Sequence, residues 1–147
     1  MSVEGLRTEG YRKRAHSWVQ ENYQTIAFIL QEAANERITK GKIPKPDLFS
    51  NDFCGPATQW IPQDLLGDVK VESFDVYLHE EKLDEHLCFM LGPIIIDFTF
   101  GQWLDNLDTA IRQHPKLFVG RVLVATKKEI QDTFGIRYLL YPQATSL

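Results

Sequence analysis

His86-Leu87-Cys88-Phe89-Met90-Leu91-Gly92-Pro93-Ile94-Ile95-Ile96-Asp97-Phe98-Thr99 is the stretch that settles the fold class. His86–Leu91 reads as a strand, Gly92-Pro93 as a turn and Ile94–Thr99 as the returning strand, because β-branched and aromatic residues run up to a turn dipeptide on both sides. Two registers place His86 and Asp97 on one face. A four-residue loop over Met90–Pro93 pairs Phe89 with Ile94 and sets His86 opposite Asp97. A two-residue turn at Gly92-Pro93 pairs Leu91 with Ile94, sets Cys88 opposite Asp97 and leaves His86 diagonal to it. A three- or five-residue loop separates them, because side chains alternate between faces.

Working outward, Val69–Leu78 is expected to be a strand with Phe74, Val76 and Leu78 on one face. Glu80–Glu85 reads as a charged loop, Leu117–Ala125 as one strand and Ile136–Tyr141 as the last. Upstream the period changes. Val19, Tyr23, Ile26, Leu30, Ala33 and Ile38 fit a helix over residues 11–40, stopped at Gly41. Residues 1–10 read as a loose, polar terminus. Ser50–Asp52 carries capping residues and Pro56 suits a first helical turn, so a helix is expected from near Cys54 to Gly67. Leu104, Leu107 and Ile111 mark a short helix. Thr126-Lys127-Lys128-Glu129 matches a capping box for another that ends at Gly135. Helices first and a largely antiparallel sheet after them make an α+β chain.

Composition narrows the function. At 147 residues the chain has room for one domain, taken here as residues 11–147. Sixteen basic against 20 acidic side chains give a formal charge of −4, which disfavours nucleic acid as a partner. No apolar run approaches the ~20 residues of a membrane span, and the first residues lack a signal-peptide core. Two cysteines, Cys54 and Cys88, make no disulfide scaffold. A cytoplasmic protein is expected, or one delivered by a specialised secretion system. No glycine-rich phosphate loop, zinc spacing or calcium loop is present, so no cofactor or metal is expected.

Cys54, His86 and Asp97 are the residues whose arrangement suggests chemistry. A thiol attacks as its thiolate, and a helix start with a nearby imidazole favours that anion. Cys54 falls at the expected helix start, and His86 is the candidate imidazole. Asp97, after three isoleucines, is the candidate carboxylate to hold the far ring nitrogen; its alternative role is to cap a turn with Thr99. Trp103, just after the Asp97 strand, is a candidate to line a substrate groove. Cys88, on an apolar strand, reads as a buried small hydrophobe.

The order of Cys at a helix start, His in Glu85-His86-Leu87-Cys88-Phe89-Met90 and Asp in Ile96-Asp97-Phe98-Thr99-Phe100-Gly101-Gln102-Trp103 resembles the transglutaminase-like branch of the papain-like cysteine enzymes. Thr99 and Gln102 fit that branch's Asp-x-Thr-x-x-Gln stretch. The resemblance covers roughly residues 51–103. It implies a papain-like fold, Cys54 as nucleophile, His86 as general base and acid, Asp97 as orienter and an acyl-thioester intermediate. The oxyanion would be held by the Cys54 N–H and a second donor, Asn51 or Gln102. The substrate would be a protein or peptide amide, through glutamine deamidation or peptide cleavage. A departure is Gly55-Pro56 directly after the cysteine. The contrasting reading is a non-catalytic protein-binding module on the same fold, with an ordinary Cys54, or a subunit active only in a complex.

Overall fold

The computed structural model describes residues 2–140. Within them the chain is α+β. It comprises α1 (Val3–Thr39), α2 (Cys54–Gln59), β1 (Lys70–Leu78), β2 (Glu81–Leu91), β3 (Ile94–Asp97), α3 (Leu107–Gln113), β4 (Phe118–Val119), β5 (Val122–Thr126), α4 (Lys127–Phe134) and β6 (Ile136–Leu140). The six strands form one antiparallel sheet in the order β4-β5-β3-β2-β1-β6. No helix among the described residues is long and apolar enough to cross a membrane.

The β2–β3 turn takes the two-residue register: Leu91 pairs with Ile94, Met90 with Ile95 and Phe89 with Ile96. Gly92 supplies the left-handed conformation, with φ at 57°. β3 is paired on both edges, to β2 and β5, and Ile94, Ile95 and Ile96 are fully buried. A strand covered on both faces has no polar side to show, which is why it reads as an unbroken apolar run. The face that carries Phe89 meets Trp18 of α1, which also stacks on Phe98. The opposite face, with His86, Phe74 and Tyr138, is packed by Trp103, Phe100 and, through Phe100, by Phe134 of α4.

Several expectations need correction. Residues 2–10 are not loose: Ser2 Oγ accepts from the Gly5 N–H, Glu4 sits in the first turn, and α1 is helical from Val3. At 37 residues α1 is about 55 Å long. Its buried stripe begins only at Ala15, so the apolar periodicity gave no sign of the earlier turns. The helix at Cys54 stops at Gln59 instead of Gly67, because Pro62 interrupts it; a 3-10 turn follows over Gln63–Leu65. Glu80–Glu85 is not a loop. Residues 81–85 are strand, paired with β1, and the chain turns at His79-Glu80 with His79 at φ 56°. Charged residues mislead there because their backbone is paired while their side chains face water.

The span 117–125 is a hairpin and not one strand. Gly120 turns at φ 57°, and Phe118 pairs with Leu123. Behind that turn the Tyr23 Oη of α1 accepts from the Arg121 N–H at 3.0 Å. The strand expected over 94–99 ends at Asp97, and the last strand is described to Leu140. Tyr141 and the rest of the expected domain through 147 lie outside the described residues.

The Gly120 position gives a stability test. A Cβ there would lie 2.5 Å from Tyr23 Oη and would need the left-handed conformation. Gly120→Ala is expected to lower unfolding free energy by about 1–3 kcal/mol, from the conformational cost plus the clash. Urea unfolding measures it; an unchanged midpoint would refute this account of the turn.

Candidate active site

Three elements bring Cys54, His86 and Asp97 together. Cys54 is the first residue of α2. Pro56 falls in the first turn, where a missing N–H removes no helical bond, and the Ala57 N–H closes onto the Phe53 carbonyl at 2.8 Å. The Gly55-Pro56 pair therefore leaves the helix start intact. Phe53, at the cap position, offers no side-chain acceptor, so the first N–H groups of α2 have no side-chain cap. Cys54 is half-buried, whereas Cys88 is buried.

β2 carries His86 on the face shared with Asp97. His86 Nε2 and Asp97 Oδ2 are 2.7 Å apart, and both side chains are closed to solvent. The other ring nitrogen, Nδ1, is buried with no hydrogen-bond partner, and the Cys54 thiol is near enough to the ring for the two groups to shift each other's titration. β3 pairs with β2 only over Phe89–Leu91. Past Phe89 the edge of β2 has no β3 neighbour, and the Leu87 N–H there faces the neighbourhood of the Cys54 thiol and favours its anion. The early end of β3 thus provides both the carboxylate and the opening for the thiol.

Asp97 both holds the His86 ring and caps the turn that follows β3. Its Oδ1 accepts from the Thr99 N–H at 2.9 Å and more weakly from Thr99 Oγ1 at 3.4 Å, while Oδ2 meets His86 and accepts from Tyr138 Oη at 2.5 Å. Gln102 Nε2 donates to Thr99 Oγ1 at 3.0 Å. The Asp-x-Thr-x-x-Gln spacing is therefore a relay of hydrogen bonds behind the carboxylate. Trp103 lies against His86, edge to face, with ring centroids 5.3 Å apart. Its indole nitrogen is buried. It walls the imidazole from water and does not offer its N–H to an outside ligand.

Asn51 does not fit the oxyanion role expected of it. It is buried, its Oδ1 accepts from the Lys45 N–H, and its Nδ2 donates to the Lys45 and Asp47 carbonyls. All its bonding holds the loop before α2. Gln102 is likewise engaged behind Asp97. The uncapped N–H groups at the start of α2 are the remaining donors next to the thiol.

The charges are coupled. Burial pushes Cys54 up, but the adjacent His86 imidazole and Leu87 N–H, with the positive charge of His86, bring it below the ordinary thiol value; Asp97 opposes this. Burial pulls His86 down, and the charge and hydrogen bond of Asp97, helped by Cys54, overcome this and push it up to about 10. Asp97 is raised by burial and lowered further by His86, Tyr138 and the Thr99 N–H, ending below its ordinary value. The pairing therefore favours the thiolate form of Cys54 and keeps His86 protonated at neutral pH. Cys88 is pushed well up by burial and by the charges of Asp97 and Cys54, and stays a thiol.

The ligating atoms of His86, Cys88 and Asp97 lie within 4.8 Å of one another, and their types suit zinc. The Asp97 oxygens already accept from His86, Tyr138 and Thr99, so this cluster is satisfied by its own hydrogen bonds.

Sequence reasoning missed Tyr138 and the Leu87 N–H. Tyr138 is 41 residues from Asp97 in sequence, and only the β1–β6 pairing of Val76 with Tyr138 delivers it. The available signal was its place beside Ile136 in an alternating strand, which marked it as inward-facing. Comparisons with family models, curated proteins and solved structures find no match to this chain.

Iodoacetamide labelling followed by peptide mass spectrometry tests the charge state. Cys54 should label fast, with its rate rising through a pH midpoint below the ordinary thiol value of ~8.5, while Cys88 stays protected in the folded protein. His86→Gln should move the midpoint upward and slow labelling at neutral pH. A wild-type midpoint at the ordinary thiol value would contradict the pairing.

Proposed function

We propose that the chain is a cysteine-dependent amide hydrolase or acyl transferase of papain-like, transglutaminase-like type, and within that class a protein-glutamine deamidase. The observation that carries the reading is a half-buried thiol next to an imidazole whose Nε2 is held by a buried carboxylate. Nucleophile, base and orienter then stand in the order acyl transfer requires. The proposed catalytic unit is a single domain over residues 11–147.

In this mechanism the Cys54 thiolate attacks the carbonyl carbon of a glutamine side-chain amide. The carbonyl oxygen takes the negative charge and is held by the uncapped N–H groups at the start of α2. The His86 imidazolium gives its proton to the departing nitrogen, ammonia leaves, and a thioester remains. His86, now neutral, takes a proton from water as the hydroxide adds to the thioester carbon. The carbon–sulfur bond breaks, the glutamate product leaves, and thiolate and imidazolium are restored. Asp97 stays ionised throughout and fixes the ring orientation. Backbone amides would follow the same steps with an amine as leaving group.

Ammonia release from casein, with peptide mapping of the product, distinguishes these. Deamidation predicts ammonia and glutamine-to-glutamate conversion without new chain ends, abolished by Cys54→Ser. Asp97→Asn should reduce the rate by about 10⁴-fold, as loss of a triad carboxylate does elsewhere. New chain ends would make the protein a peptidase. A slow, ordinary Cys54 with neither product would overturn the enzyme reading and return the chain to a binding module.

A further inference from the structure

We propose that Tyr138 is a positioning residue of the Cys54–His86–Asp97 site: its phenol shares Asp97 Oδ2 with His86 and so sets both the orientation of the carboxylate and the strength of its bond to the imidazole. This deepens the proposed function and rests on it for its consequence in catalysis. The shared oxygen is observed directly, with the phenol at 2.5 Å and the imidazole nitrogen at 2.7 Å.

Tyr138 is built to stay in place. It is 2% exposed, its ring packs on Phe74 at 5.6 Å, and it meets the His86 ring edge-on at 6.0 Å. Burial and the charge of Asp97 push its phenol well above the ordinary value, so it remains a donor across the working pH range. With Thr99 holding Oδ1 and Tyr138 holding Oδ2, the carboxylate cannot rotate without losing a charged hydrogen bond. The phenol also competes with His86 for the same oxygen. A stronger donor at Tyr138 draws charge away from the imidazole; no donor there leaves more for it.

The other groups around the carboxylate are few. Cys88 on β2 is a buried neutral thiol and Cys54 on α2 lies beyond the imidazole. Glu72 on β1 and Lys127 on α4 act on Cys88 with opposite sign. The Trp103 indole acts on the phenol itself and not on the carboxylate. None of these groups donates to Oδ2, so a graded change at the phenol should be read at that oxygen by His86.

The test is proton NMR of the full chain, following the low-field signal of the His86 Nε2 proton, with Tyr138→Phe and with fluorotyrosine incorporated at all five tyrosines. Tyr138→Phe should move the signal to lower field and raise the pH at which His86 loses its proton. Fluorotyrosine, a stronger donor, should move both the opposite way. Near-ultraviolet circular dichroism checks folding. If Tyr138→Phe fails to fold, the fluorotyrosine protein still decides, because it removes no contact. A folded protein whose His86 signal and titration match the wild type in either case would overturn the proposal and leave Tyr138 as packing. Failure of the parent reading looks different: Cys54 alkylates like a free thiol while the Tyr138-dependent shift at His86 persists.

Discussion

A carboxylate sealed from water is the constraint around which this structure is arranged. Asp97 is 1% exposed at the end of a strand whose three preceding residues are fully buried isoleucines. An isolated charge there would be costly enough to force neutralisation or unfolding. Hydrogen bonds from His86, Tyr138 and Thr99 keep it ionised instead. Those partners come from β2, β6 and the turn after β3, so satisfying one side chain ties the middle of the sheet to its far edge.

The same requirement sets up the proposed reactivity. An imidazole held against a buried carboxylate gains a proton, and its free nitrogen then favours an anion beside it. The thiol of Cys54 sits in that position because β3 ends early and leaves the Leu87 N–H without a β3 partner. A longer β3 would complete the ladder and close the site. The structural and chemical roles of Asp97 are therefore one arrangement: one oxygen closes the turn onto Thr99 and the other holds the histidine.

Local signals made much of this legible. Gly92-Pro93 between apolar runs identifies the hairpin, and either a two- or a four-residue loop puts His86 and Asp97 on one face. The capping box at Thr126 was readable because both of its bonds lie within four residues. Failures came where tertiary context decides. The charges of Glu81–Glu85 concealed a paired strand. Gly120 split a run that hydrophobicity made continuous. Asn51 looked available as a donor because its bonds to the loop at Lys45 and Asp47 are invisible in sequence. Tyr138 was beyond reach for the same reason, since strand order sets its neighbour and local pattern does not.

The central claim is that the resting site holds an imidazolium beside a thiolate. Nitrogen-15 NMR of histidine-labelled protein reads this without any reagent, with Cys54→Ala as reference. At neutral pH both ring nitrogens of His86 should carry protons, and the pH at which the ring loses one should fall when Cys54 is removed. A His86 with one bare nitrogen at neutral pH, unaffected by loss of the thiol, would contradict the account.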